Sequence, residues 1–165
     1  MKLDQSAMNR QQPPCPANEY YQAHVALLLE SYERLLHRPL LDVAGTSELS
    51  WQVYFGDFAL LSHDTQAVPL FNYANKVALD LFELSWEELI VMPSRLSAEQ
   101  PNQEERQRLL ARVTKDGYID DYSGVRISKN GKRFLIQRAV VWNIHDQLGN
   151  YYGQAACFKD WVRLS

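Results

Sequence analysis

Cysteine is scarce: the 165 residues hold two, Cys15 and Cys157. Two thiols cannot form a disulfide framework or a cysteine-rich zinc site, and their scarcity suits a reducing compartment. No run of eighteen apolar residues occurs, so no membrane-spanning helix is expected. Lys2 is not followed by an apolar stretch of the kind a secretory signal needs. The expected location is the cytoplasm. Positive charge is not in excess either, since 17 Lys and Arg stand against 20 Asp and Glu. A nucleic-acid partner is therefore not expected. The four histidines (His24, His37, His63 and His145) are scattered, with no helical pair and no cysteine beside them. That pattern gives no metal site. There is no phosphate-cradling glycine loop and no nucleophile elbow, so no catalytic residue is assigned.

What remains is an ordinary globular balance, 46% apolar and 22% charged. A chain of this length buries roughly 70% of its unfolded surface, which suits one domain. Residues 1–17 are polar and proline-rich and read as a flexible tail before a single domain over 18–165. A helix is predicted over 18–38, with Val25, Leu28, Leu29, Tyr32, Leu35 and Leu36 as its apolar stripe and Pro39 as its stop. Short strands follow at 58–62 and 69–72, with the His63-Asp64 pair as a turn between them, and then a helix over 75–82. Ser85 and Glu88 form a capping box for the next helix. Asn102 opens another, with Leu109, Leu110 and Val113 on its buried side. After Gly117 the period changes from helical to two, giving strands at 118–128, 132–144 and 150–159. The fold class is α+β: an antiparallel sheet of about five strands, helices on one face, and an additional N-terminal helix.

Asn130-Gly131 is a type I′ turn signal. A two-residue loop there pairs Ile127 with Phe134, Val125 with Ile136, Ser123 with Arg138, Asp121 with Val140 and Ile119 with Trp142. One face then carries Asp121, Ser123 and Arg138 amid apolar neighbours, with Asp121 and Arg138 diagonal to each other. Two readings follow: a buried ion pair that fixes packing, or a ligand site in which Asp121 steadies an anion-gripping Arg138. The candidate ligand-binding set is Asp121, Arg138, Ser123, Trp142 and Phe134, together with Asn75 at the head of the helix 75–82. The opposite face carries Arg126 and a strip of Tyr122, Leu135, Ala139 and Val141. That strip would pack against the first helix or form a dimer face.

The stretch from Phe71-Asn72-Tyr73-Ala74-Asn75 to Phe82, the Ser85-to-Leu89 capping segment, and Gly149, Gly153 and Asp160 resemble a PAS domain. The segments Leu61-Ser62-His63-Asp64, Phe71 to Leu81, Pro93-Ser94-Arg95-Leu96-Ser97, Gly117-Tyr118-Ile119-Asp120-Asp121-Tyr122-Ser123-Gly124 and Val141-Trp142-Asn143 resemble the MEKHLA domain, a PAS-like family, over roughly residues 20–161. The resemblance implies that the Asp121–Arg138 face turns toward helices and a pocket. It also implies a non-catalytic sensory or interaction domain that binds a small ligand and acts through a homodimer or partner protein. Glu83 departs from the glycine that PAS domains often carry there. The chain ends five residues after Asp160, where a PAS sensor normally hands its signal on. The cofactor is unknown: Met92-Pro93-Ser94-Arg95-Leu96-Ser97 stands in place of the flavin sensors' Asn-Cys-Arg-Phe-Leu-Gln, and no histidine lies in 98–117 for haem. Two alternatives stand beside this. One is an isomerase or dehydratase of the cone-shaped, nuclear-transport-factor-like class, with Asp121 as base and Arg138 as stabiliser. The other is a pure dimerisation or masking module.

Overall fold

A computed structural model describes residues 12–41 and 48–164. Residues 1–11, most of the expected tail, lie outside the described residues, and 12–17 lead into a turn where Asn18 donates to the Pro13 carbonyl and accepts from the Cys15 amide. A 3-10 turn, Pro16–Tyr21, enters helix α1, Gln22–Leu36. Helix α2, Leu49–Tyr54, was not anticipated, because six residues are too few to display a helical period. Strands β1 (Ala59–His63) and β2 (Phe71–Ala74) follow, then helices α3 (Lys76–Phe82) and α4 (Trp86–Leu89), a 3-10 turn at Ser94–Ser97, and the long helix α5, Gln100–Asp116. The chain closes with β3 (Tyr118–Ile127), β4 (Arg133–His145), β5 (Tyr151–Phe158) and β6 (Asp160–Arg163).

The six strands form one antiparallel sheet in the order β2-β1-β5-β4-β3, with β6 also paired to β4. Strand β5 lies along Val140 to His145 of β4, and β6 continues along Phe134 to Gln137. Helix α5 covers one face. Asn143 reaches up to the Val113 carbonyl at 2.9 Å, and Gln154 to the Leu110 carbonyl at 3.2 Å. Helix α1 covers the other face. The Trp142 indole donates to the Leu28 carbonyl at 3.1 Å and meets Tyr32 edge-on, while Ser31 donates to the His145 carbonyl. Val25, Leu28 and Tyr32 of the predicted stripe are buried there. The capping box forms as expected: the Glu88 amide donates to Ser85 Oγ at 3.1 Å and the Ser85 amide to Glu88 Oε1 at 3.0 Å.

The expected hairpin register is wrong by one residue. The Ser128 amide donates to the Lys132 carbonyl and the Gly131 amide to the Ser128 carbonyl, so the loop holds three residues, Lys129-Asn130-Gly131. Gly131 sits at φ +85°, the left-handed position that a type I turn with a bulge requires. Gly124 therefore faces Ile136 and Arg126 faces Phe134. A one-residue slip moves every side chain to the other face. Further along, β3 gains a residue between Ile119 and Tyr122, and β4 gains one between Ala139 and Ile136. Arg138 takes φ +53° in that second bulge. The two extra residues cancel, and Tyr118 again faces Trp142 with the same offset.

Glu83 adopts φ +57° just past α3, the left-handed cap position that favours glycine. Its carboxylate accepts from Ser128 Oγ at 2.8 Å and Asn130 Nδ2 at 2.7 Å. A glycine would relieve the backbone and lose this tie between α3 and the hairpin turn.

Candidate functional site

Between α5 and the sheet lies a cavity of about 70 Å³. Leu61, Phe71, Phe82, Leu109, Ile136 and Val141 give it an apolar wall; His63, Arg106 and Arg126 also line it. Arg106 stands on the buried stripe of α5, one turn before Leu109 and two before Val113, and is only 8% exposed. Its Nη2 donates to Ser94 Oγ at 2.8 Å. Arg126 comes from β3 and is 7% exposed. Its Nη2 donates to the Tyr122 hydroxyl at 3.1 Å and its Nη1 to the Val125 carbonyl at 2.8 Å. The guanidinium carbon lies 5.4 Å from the Tyr122 ring centroid, within cation–π range.

Among the described residues, the ion pairs involve neither arginine. Two buried cations thus share one cavity with neutral partners. Burial, and then the nearby Arg126, push the Arg106 pKa down to about 10.

His63 closes β1. Its Nδ1 lies 3.0 Å from the Asp64 carbonyl, which makes Nδ1 the protonated nitrogen. Its Nε2 is buried without a partner. Burial lowers the His63 pKa, and Arg106 lowers it further, so the ring is neutral and offers a bare acceptor. Gly153 of β5 fixes this corner: at φ +120°, an added Cβ would stand 1.9 Å from the His63 carbonyl oxygen. Only glycine lets β5 approach so closely. Cys157 is buried in β5, and burial raises its thiol to about 12, which makes it a poor nucleophile.

The sequence-derived site is corrected by the register. Asp121, Ser123 and Arg138 are exposed and do not line the cavity. Arg138 Nη2 meets Asp160 Oδ2 at 2.9 Å, with the two side chains 72% and 47% exposed. Asp121 and Ser123 border an open groove beside α5 instead. Neither the Asp121–Arg138 anchor nor the base-and-stabiliser pair is assembled. Trp142 is fully buried, but under α1 on the far face. Phe134 is buried on the α5 side, edge-on to Phe82. Asn75 is fully buried, and all of its amide is committed to protein. Oδ1 accepts from the Ala78 and Leu60 amides, and Nδ2 donates to the Val53 and Phe58 carbonyls. Of the strip expected on the outer face, Tyr122 and Val141 lie on the α5 side with Arg126.

Sequence reasoning missed Arg106, Arg126 and His63. Arg106 left a signal, a charge at i with Leu109 and Val113 at i+3 and i+7. Arg126 left one only in the correct register, alternating with Tyr122 and Gly124. For His63 the His63-Asp64 pair suits either a turn or a polarised histidine; the structure instead sets Nδ1 on the Asp64 carbonyl at 3.0 Å.

A family model for the MEKHLA domain matches residues 22–163. The homeobox-leucine zipper protein HOX10 of rice (Oryza sativa subsp. indica) is 27% identical over 103 residues, 62% of this chain and 12% of that protein. HOX9 of the same rice is 27% identical over 141 residues, 81% of this chain and 16% of HOX9. The chain thus spans less than a fifth of these relatives. Among solved structures, the PAS domain of a Colwellia psychrerythraea protein superposes with a TM-score of 0.58 at 16% identity, covering 70% of this chain and 92% of that one. The light-state dimer of the fungal blue-light photoreceptor Vivid gives 0.53 at 16% identity, covering 79% and 91%. At such identities these structures establish the fold, which is that of PAS and light-oxygen-voltage domains. Among the described residues no helix is long and apolar enough to cross a membrane.

Proposed function

Since the chain belongs to the MEKHLA domain family, we propose that it is a non-catalytic PAS-like sensory and interaction domain that takes a small ligand into the cavity beneath α5 and acts through a second chain. The observation that carries this reading is the cavity wall itself. A largely apolar space between α5 and the sheet is lined by two buried guanidiniums and an unpartnered imidazole nitrogen. Buried polar groups without full partners cost stability, and they persist where a ligand completes them. The wall joins α5, β1, β3, β4 and β5, so occupancy bears on how the long helix sits on the sheet. That gives a bound molecule a route to the outer surface of the sheet.

Native mass spectrometry tests the reading. Protein purified without denaturation is expected to carry a retained small molecule. Ala156→Leu puts added bulk into the cavity wall and should lose it. A mass retained equally by Ala156→Leu places the ligand elsewhere and overturns the reading.

A further inference from the structure

We infer that the cavity's ligand is a small carboxylate, gripped at its charged end by Arg106 and Arg126 together. The inference rests on the binding reading above and adds the charge and chemical class of what is bound.

Charge is the first argument. Ser94, Tyr122 and the Val125 carbonyl are the groups that meet the two guanidiniums, and all are neutral. His63, the remaining titratable side chain in the cavity wall, is an acceptor and carries no negative charge. An unpaired buried ion destabilises the fold, and two like ions in one cavity destabilise it more. A single monoanion between them relieves both.

Geometry is the second argument. A guanidinium presents a planar fork of N–H donors. Arg106, which lines the cavity, engages a protein group through Nη2 alone, so the other donors of its fork are uncommitted. Planar carboxylates match such forks with paired hydrogen bonds. Beyond the two forks the wall is apolar, and the bare His63 Nε2 accepts rather than donates, so the further oxygens of a phosphate would be left without donors.

Size and polarity complete the class. The cavity is about 70 Å³, room for roughly five waters at about 15 Å³ each. Its other walls are Leu61, Phe82, Leu109 and Ile136. The ligand is therefore short, with an apolar body behind its carboxylate.

The test uses the full chain, calorimetric titration and thermal melting, with sodium butyrate, butyramide and inorganic phosphate as probes. Butyrate is expected to raise the Tm and to bind at least about tenfold more tightly than butyramide or phosphate. Arg106→Met and Arg126→Met should each weaken butyrate binding about tenfold or more, while their ligand-free Tm stays level or rises, as expected when a buried charge is removed. A structural arginine would instead lose Tm. Arg106→Lys keeps the charge without the fork and should bind between wild type and Arg106→Met; unchanged butyrate binding in Arg106→Lys overturns the proposal even if the methionine variants do not fold. Equal binding of butyrate and butyramide, or a neutral molecule retained by the native protein, removes the carboxylate and leaves the cavity reading standing. No response to any probe, with nothing retained in native mass spectrometry, removes both.

Discussion

Asn75 shows how one side chain can organise a fold. It caps α3 through the Ala78 amide, pairs with the Leu60 amide of β1, and ties down the carbonyls of Val53 and Phe58. Asn75→Ala removes a helix cap and the bonds to the Leu60 amide and the Phe58 carbonyl, and it leaves the Val53 carbonyl with only the Gly56 amide at 3.3 Å. The expected loss is about 3–5 kcal/mol in denaturant unfolding. A loss under about 1 kcal/mol would mean that water replaces the amide. Its capping role was legible, because asparagine before a helical run is a start signal. Its unavailability to a ligand was not, since two of its partners come from a helix and loop some twenty residues away that sequence patterning does not place. His63 carries a second residue-level consequence. The groups that act on it are Asp64 next to it, Arg106 from α5 and Gln154 from β5. Its pKa is lowered in the folded protein, so the unfolded chain binds its proton first as pH falls. Stability is complete above the ordinary histidine value of about 6.5 and is lost as pH drops below it. Wild type should therefore lose more Tm than His63→Gln when melted at about pH 5 instead of about pH 7.5. Parallel losses would remove His63 as the source.

The β3–β4 hairpin decides which residues meet the cavity, and its register turns on loop chemistry. Asn-Gly serves both a two-residue loop and a three-residue loop with glycine in the left-handed position. Here Ser128 selects the longer loop: its side chain accepts from the Lys132 amide at 3.0 Å and donates to Glu83. That partner comes from the end of α3, far away in sequence, so local pattern could not choose between the two. The alternation of β3 was legible while its facing was not. The compensating bulges left no sequence mark either, because Arg138 occupies a left-handed position without being glycine. The consequence is testable by a double-mutant cycle. Arg138 pairs with Asp160 in solvent, and exposed pairs contribute about 0–1 kcal/mol. Asp121→Ala and Arg138→Ala should each cost under about 1 kcal/mol and should add without coupling. A coupling above about 1 kcal/mol between Asp121 and Arg138 would restore the register set by a two-residue loop.

The whole molecule is a sheet covered on one face by α5 and only partly covered on the other by α1. The element order, the α+β class and the cover of the N-terminal helix were legible, because long periodic segments declare themselves. Strand β6 was not, since it continues β5 after a single break at Lys159. That unread strand bears on assembly. On the α1 face, beyond the reach of the helix, Val125, Leu135 and Val162 stand side by side across β3, β4 and β6. Val162 is 49% exposed, and Leu164 follows it at the chain's end with 40% exposed. If the chain acts through a second chain, as proposed above, this apolar row across three strands is where contact is expected. A second copy of the chain suits the strip, because an isologous contact sets one apolar row against its equal and twofold dimers are the commonest closed assembly. The row lies on the sheet that also walls the cavity beneath α5, so on the proposed reading occupancy on one face would bias association on the other. Light scattering across the micromolar range should report a dimer for wild type. Val162→Glu places a carboxylate in the row and should shift the mass to a monomer while the Tm at low concentration stays within about 2 °C, as a surface substitution allows. A wild-type monomer throughout that range removes self-association, and a dimer that survives Val162→Glu unchanged moves the contact to another face.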